Sequence, residues 1–199
     1  NKDDSDAYLP MQDDASPGSF TVTGTSADIG LPTNAICLGL NFISGDNINA
    51  ITTSSQYILE DCKLYSEDDA FVCTGTGSVQ VDWRNVEWGT GGGKISVIGH
   101  GFNWTEGSIT AGSTISTIVF DVSSESTIKI ADVDLTAAVS GDYLVELSNA
   151  ASVVDIEIKR CKISTTLSGL TADLPANIRQ TLKFHSVGSS TDNNIYSFD

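Results

Sequence analysis

The sequence predicts an all-β solenoid, a parallel β-helix of about six coils. Three observations predict it: an apolar zigzag recurs six times, each copy has a bend residue at its fifth position, and successive copies start 21 to 28 residues apart. The copies start at residues 35, 57, 81, 102, 128 and 156. Such intervals fit one solenoid turn and are too short for a repeat that also carries a helix.

The six copies align into four apolar columns when they are stacked on the fifth residue. They are AICLGLNF (35–42), YILEDCKL (57–64), VDWRNVEW (81–88), FNWTEGSI (102–109), IKIADVDL (128–135) and IEIKRCKI (156–163). Residues two apart in a strand share a face, so the columns predict the buried interior. In coil order the columns are Ala35, Tyr57, Val81, Phe102, Ile128, Ile156; Cys37, Leu59, Trp83, Trp104, Ile130, Ile158; Leu40, Cys62, Val86, Gly107, Val133, Cys161; and Phe42, Leu64, Trp88, Ile109, Leu135, Ile163.

Each strand must bend at its fifth residue, because three residues separate the second column from the third. Without a bend, the third column would face outward. The bend residues are Gly39, Asp61, Asn85, Glu106, Asp132 and Arg160. Gly, Asp and Asn tolerate left-handed backbone or bond their own turn, whereas Glu106 and Arg160 do not fit this chemistry.

A third apolar strand follows the bent pair in most coils. These strands are NAIT (49–52), FVCT (71–74), ISVI (95–98), IVFDV (118–122) and YLVEL (143–147), and FTVT (20–23) is predicted to take the same place ahead of the first coil. Each coil thus has three strands, one corner and loops of variable length. In this arrangement, residues 19–165 resemble the pectate lyases and phage tailspikes. The resemblance implies a single-stranded, right-handed parallel β-helix.

Two segments fall outside the repeat. Residues 1–18 are predicted to be an N-terminal arm, and residues 166–199 a C-terminal cap or arm. Terminal coils of a solenoid expose unpaired strand edges that must be covered, so one or both segments are expected to cap an end.

The charge of the chain excludes several kinds of partner. Its 199 residues include 10 basic and 26 acidic side chains, a formal net charge of −16. This charge repels phosphate backbones and anionic lipid surfaces, so we expect no nucleic-acid and no membrane partner. The acidic pairs match no EF-hand or calcium-binding repeat, and the sequence predicts no metal and no cofactor.

The four cysteines are predicted to be buried free thiols. Cys62 and Cys161 share a column four coils apart, roughly 19 Å at about 4.8 Å per coil, which is beyond disulfide reach. Cys37 and Cys73 also occupy core positions, where a thiol acts as a small apolar side chain.

An enzyme would need chemistry on the outward face of the sheet. The nearest carboxylate pair there is Glu60 with Asp82, roughly 8 Å apart in an ideal sheet and within the inverting-glycosidase range. No third carboxylate joins them, and neither His100 nor His185 neighbours a nucleophile motif, so we expect no catalytic residues. A polysaccharide lyase or hydrolase of the β-helix type stays an alternative.

A carbohydrate-binding adhesin is a further alternative, and it would present exposed aromatic side chains. The three tryptophans fall in inward columns, which leaves Tyr65 and Tyr143 for that role.

An outward apolar patch predicts an interface. Ile36, Leu38 and Ile58 lie in outward columns at the N-terminal end, and the arm carries its own apolar cluster, including Tyr8, Leu9 and Met11. Such patches usually have a partner.

Together with the resemblance to viral β-helices, the patch indicates a structural virion protein. The expected kinds are a bacteriophage capsid cement or decoration subunit, or a fibre or tailspike-like module. It would assemble in the host cytoplasm as a homotrimer, and its partners would be the major capsid protein, other virion proteins or a cell-surface glycan.

Overall fold

The chain folds as an all-β parallel solenoid, seen here in a computed structural model. The structure describes residues 20–24, 28–51, 54–66, 71–74, 78–90, 95–98, 101–110, 118–123, 126–137, 143–147, 153–163, 169–171, 179–189 and 195–198. The described residues include no helix of the length and apolarity needed to cross a membrane.

The described strands, numbered along the chain, form two sheets. The main sheet has 12 strands: β1 (Phe20–Gly24), β3 (Ile36–Leu38), β4 (Leu40–Ser44), β6 (Gln56–Glu60), β7 (Lys63–Ser66), β9 (Gln80–Thr90), β11 (Gly101–Ile109), β13 (Ser126–Leu135), β15 (Val153–Lys159), β16 (Lys162–Ile163), β18 (Arg179–Ser189) and β19 (Ile195–Phe198). The second sheet has seven: β2 (Ile29–Gly30), β5 (Ile48–Ile51), β8 (Phe71–Thr74), β10 (Ile95–Ile98), β12 (Ile118–Ser123), β14 (Tyr143–Leu147) and β17 (Gly169–Thr171).

The register of the main sheet confirms the predicted columns. Trp83 pairs in parallel with Leu59 on one side and with Trp104 on the other, and Trp104 pairs in turn with Ile130. The same alignment holds across the bend, where Gly107 lies between Val86 and Val133. Apart from the half-buried Gly107, every residue of the four columns is buried.

All six predicted bend residues have left-handed backbone. Their φ angles are +64° at Gly39, +53° at Asp61, +50° at Asn85, +61° at Glu106, +59° at Asp132 and +49° at Arg160. Glu106 and Arg160 therefore bend despite their unfavourable chemistry. Parallel pairing on either side of the bend fixes the path of each strand, so the register overrides local preference at these two positions.

The second sheet contains the predicted third strands in coil order, running β2, β5, β8, β10, β12, β14 and β17. The prediction for residues 20–23 was wrong: β1 pairs with β4 in the main sheet, with Val22 opposite Phe42. The two-residue strand β2 takes the third-strand place of that coil. Alternation over four residues does not distinguish the two sheets, because strands of either sheet can alternate apolar and polar residues.

An aromatic cluster fills the centre of the solenoid. Trp83 is fully buried, and its ring centroid lies 4.7 Å from Phe71, 5.0 Å from Phe102 and 5.2 Å from Trp104, each in an edge-to-face arrangement. Gly107 lets two neighbours approach closely, because a Cβ at this position would lie 2.1 Å from the carbonyl oxygen of Val86 and 2.9 Å from Trp104 Nε1. This close approach explains the only glycine among the four columns.

The parallel pairing continues into the stretch predicted as a C-terminal cap or arm. Strand β18 pairs in parallel with β15 and β16, and β19 then pairs antiparallel with β18. Residues 1–18, with Tyr8, Leu9 and Met11 of the predicted interface, lie outside the described residues.

Candidate functional site

Two surfaces of the main sheet could contact a partner: an apolar patch at its N-terminal end and a polar groove farther along. The first, the edge patch, consists of Ile36, Leu38 and Ile58. Ile36 is 64% exposed and Leu38 is 42% exposed, while Ile58 is half-buried beside Ile36. The predicted outward position of these aliphatic residues is therefore observed, and their role at an interface stays a prediction.

The edge patch lies on a strand that is paired on one side. Among the described strands, β3 pairs with β6 alone, whereas β4, which continues the same coil, is covered by β1. Within the part of the chain that the structure describes, the main sheet therefore ends in a step, with one half of its first full coil covered and the other half open.

Backbone hydrogen bonds show which groups of β3 face the open edge. Ile58 N–H donates to the carbonyl of Ala35 (2.9 Å), and Gly39 N–H donates to the carbonyl of Glu60 (2.9 Å). The N–H and C=O groups of alternate residues in a strand point to opposite edges. Those of Ile36 and Leu38 therefore point away from β6, toward the open side.

The polar groove lies on the outward face of β9, β11, β13 and β15 and has a volume of about 440 Å³. Its floor is formed by two rows of outward residues, and the lining includes Asp82, Arg84, Asn103, Thr105, Lys129, Ala131, Glu157 and Lys159. Neighbouring residues in a row belong to adjacent strands, which are about 4.8 Å apart. The groove therefore presents acidic, amide, hydroxyl and cationic groups at regular intervals.

Asp82 is held in the groove by three amide side chains. Asn103 Nδ2 and Gln80 Nε2 donate to its Oδ1 over 2.7 and 3.2 Å, and Gln56 Nε2 donates to Oδ2 over 3.1 Å. The other member of the predicted carboxylate pair, Glu60, instead forms an ion pair with Arg84 at 3.6 Å. The two carboxylates thus have different partners.

Lys129 is the groove cation best placed to meet a ligand. Its side chain is exposed, and no hydrogen bond or ion pair links that side chain to any other residue that the structure describes. By contrast, Lys159 pairs with Glu157 at 2.8 Å, and Arg160 pairs with Asp132. The arrangement of Asp82, Asn103 and Lys129 can donate and accept hydrogen bonds toward hydroxyl groups of a bound molecule.

Ion pairs between adjacent coils continue on the other side of the bend. Lys63 pairs with Glu87 at 2.9 Å, and Lys162 pairs with Asp134 at 3.4 Å. At the bend itself, the hydrogen bond from Arg160 holds the pKa of Asp132 below its usual value. These pairs are exposed, so each contributes little to stability.

The four thiols are buried and free, as predicted. Burial raises the pKa of Cys37 and Cys73 to about 12 and that of Cys62 and Cys161 to about 11. Thiols with raised pKa values react slowly because the thiolate is the nucleophile. Across the described part of the chain, no three His, Cys, Asp or Glu side chains converge as metal ligands.

The sequence indicated the edge patch but not the groove. The outward columns do change from aliphatic to polar residues after Ile58, and that change was a usable signal. The network around Asp82 could not be inferred, because Gln56 and Gln80 precede the aligned segments.

No protein-family model matches the chain, and comparisons with curated proteins and with solved structures give no match. The fold assignment therefore depends on the strand register alone.

Proposed function

We propose that this chain is a structural virion protein, either a bacteriophage capsid cement or decoration subunit or a fibre or tailspike-like module. In this role it acts as a homotrimer and attaches to the major capsid protein or to other virion proteins. The proposal combines the resemblance to viral β-helices with the physical character of the edge patch.

The observation that carries the proposal is the pair of exposed aliphatic side chains on the open strand β3. Ile36 and Leu38 expose apolar surface to water on an otherwise strongly acidic protein. Covering such surface is favourable by about 25 cal/mol per Å². Since every copy carries a formal charge of −16, subunits should meet through apolar and backbone contacts, and a host shell should present a comparatively basic surface.

Assembly is tested by measuring particle size and binding to empty capsids for the purified chain. We expect a trimer that binds the capsids. Deleting residues 1–18, or replacing both Ile36 and Ile58 with Asp, should abolish binding while circular dichroism still reports β-structure. Lys63→Ala, on the same sheet but away from the patch, serves as the control. A monomer that ignores capsids, or patch variants that bind like the parent, would refute the proposal.

A carbohydrate-binding module is the second candidate, and the polar groove favours it. The groove offers both donors and acceptors along four adjacent strands, as a hydroxyl-rich polymer requires. Lys129→Ala and Asn103→Ala should then weaken binding of an oligosaccharide panel in calorimetry, while Lys63→Ala should not. Equal oligosaccharide affinities for all three variants would exclude the groove as the binding site.

An enzyme is distinguished from both candidates by product analysis. We expect no new reducing ends or unsaturated products from acidic or neutral polysaccharides. We also expect Glu60→Gln combined with Asp82→Asn to leave capsid binding intact. Cleavage that disappears in this double variant would assign the pair a catalytic role.

A further inference from the structure

We infer that β3 binds an extended segment of a different protein by strand addition, and that this segment has aliphatic residues at alternate positions and basic flanks. The inference deepens the proposed function and rests on it, because it states how the partner is held. The site consists of the outward side chains of Ile36 and Leu38 together with the backbone groups between them.

Strand addition follows from the combination of side chains and backbone at this edge. The N–H and C=O groups of Ile36 and Leu38 point away from β6, and among the described residues β1 covers the coil only from Leu40 onward. A strand laid on β3 would join these groups in a ladder and place its own outward residues beside the two aliphatic side chains. Apolar residues two apart on the added strand would then pack against them.

The chain's own sequence is poorly suited to this place. Strand β1 is offset from β4 by 20 residues, with Phe20 opposite Leu40. If the same offset continued toward the N-terminus, Pro17 would lie opposite Cys37. The backbone nitrogen of residue 17 would then have to donate a hydrogen bond to the carbonyl of Ile36. Proline has no N–H, so a strand in this register would lack that hydrogen bond.

Charge argues for a different, basic protein over a second copy or the arm. Each copy carries a formal charge of −16, so a second copy brought to this edge would be repelled. Residues 1–18 contain five Asp and a single Lys, so they add negative charge as well. A segment with Lys or Arg at its ends is attracted to this surface, whereas like-charged segments are repelled.

The direct test uses a capped synthetic peptide of sequence KVTVTVK and the full chain labelled with ¹⁵N. We expect the peptide to shift the amide resonances of Ile36 and Leu38 and to slow their hydrogen exchange. A peptide with Glu in place of both Lys residues should bind about tenfold more weakly at low salt, and the difference should shrink at high salt. Unchanged exchange at both amides would overturn the inference.

Two variants at one position separate backbone from side-chain binding. Leu38→Pro removes an N–H that faces the open edge and so breaks no existing ladder bond, which edge strands tolerate. Leu38→Ala keeps the N–H and loses apolar surface. We expect the Pro variant to lose peptide binding, and the Ala variant to weaken it by about three- to tenfold. If Leu38→Pro does not fold, a peptide with N-methylated alternate residues supplies the same test and should not bind.

The outcomes distinguish this inference from the proposed function. If Leu38→Pro binds the KVTVTVK peptide like the parent, strand addition is wrong. If Leu38→Pro still binds capsids while the variant with Asp at both Ile36 and Ile58 does not, the proposed function is retained, and side-chain contacts alone hold the partner. A concentration-dependent oligomer in which Ile36 and Leu38 are protected without peptide would identify a second copy as the occupant and overturn the inference.

Discussion

Replacing Trp83 with Ala should be among the most destabilising single substitutions in this protein. The indole is fully buried and lies against Phe71, Phe102, Trp88 and Trp104, with centroid distances of 4.7 to 6.1 Å. A buried aromatic side chain removes about 150–250 Å² from water, worth about 4–6 kcal/mol at about 25 cal/mol per Å². Alanine retains part of this burial, so we expect a loss of about 3–5 kcal/mol, the usual range for Trp→Ala in a core.

The measurement is urea denaturation followed by far-ultraviolet circular dichroism, because removing Trp83 also changes the fluorescence signal. Asp61→Ala is the matched control at the half-buried bend of the adjacent coil and should cost much less. The loss in free energy of unfolding for Trp83→Phe should lie between those of Trp83→Ala and Asp61→Ala. The Phe substitution leaves a smaller cavity, and it removes an indole N–H that is buried without a hydrogen-bond partner among the described residues.

A loss below about 1 kcal/mol for Trp83→Ala would contradict the packing argument, since no collapse of the core could recover so much buried area. Equal losses for Trp83→Ala and Asp61→Ala would contradict the assignment of inward and outward columns. The slope of the denaturation curve should stay unchanged, because the substitution removes packing and does not alter how much chain unfolds.

Three further predictions follow from the bend, its ion pair and the thiols. Gly107→Ala should destabilise the fold severely in thermal melts, because its Cβ would lie 2.1 Å from the carbonyl oxygen of Val86 at a φ of +113°; a melting temperature equal to the parent's would show that the close approach is wrong. Arg160→Ala should reduce stability at neutral pH but not in strong acid. The ionised Asp132 paired with Arg160 stabilises the fold at pH values above 3.8, the ordinary pKa of an Asp side chain. This stabilisation is lost as the pH falls through the lowered pKa of Asp132. Urea titrations between pH 2 and 6 should show the free energies of unfolding of the parent and the variant converging as the pH falls. A difference that stays constant over this range would exclude the effect. The four thiols should not react with a disulfide reagent at pH 8 until the protein is unfolded; rapid reaction of the native protein would show that a cysteine is exposed.

The fold could be predicted because the interior repeats itself in register. Each inward residue stacks on its counterpart in the next coil, so Trp83 and Trp104 could be aligned from the sequence before their pairing was known. The left-handed bends at Asp61 and Asn85 followed from residue chemistry. Glu106 could not be predicted in the same way, since its conformation is imposed by the coils above and below it.

Other features depended on information that column alignment does not contain. Strand β1 was assigned to the wrong sheet because an alternating pattern of four residues fits either sheet equally well. The groove arises from the spacing and length of outward side chains, and Asn103 reaches Asp82 only because adjacent strands place them side by side. The exposure of Ile36 was predicted from its column, but its place at the edge of the described sheet depends on β1 pairing with β4 and not with β3.

The column of left-handed bends has a consequence for how such a chain can change over generations. Since the conformation at each bend is enforced by its neighbours, Glu106 and Arg160 are accommodated where Gly or Asn would be expected. The type of residue at these positions can therefore vary, while the inward columns must conserve size. Distant relatives of this protein should be recognisable by the spacing and volume of their buried residues and not by the identity of their turns.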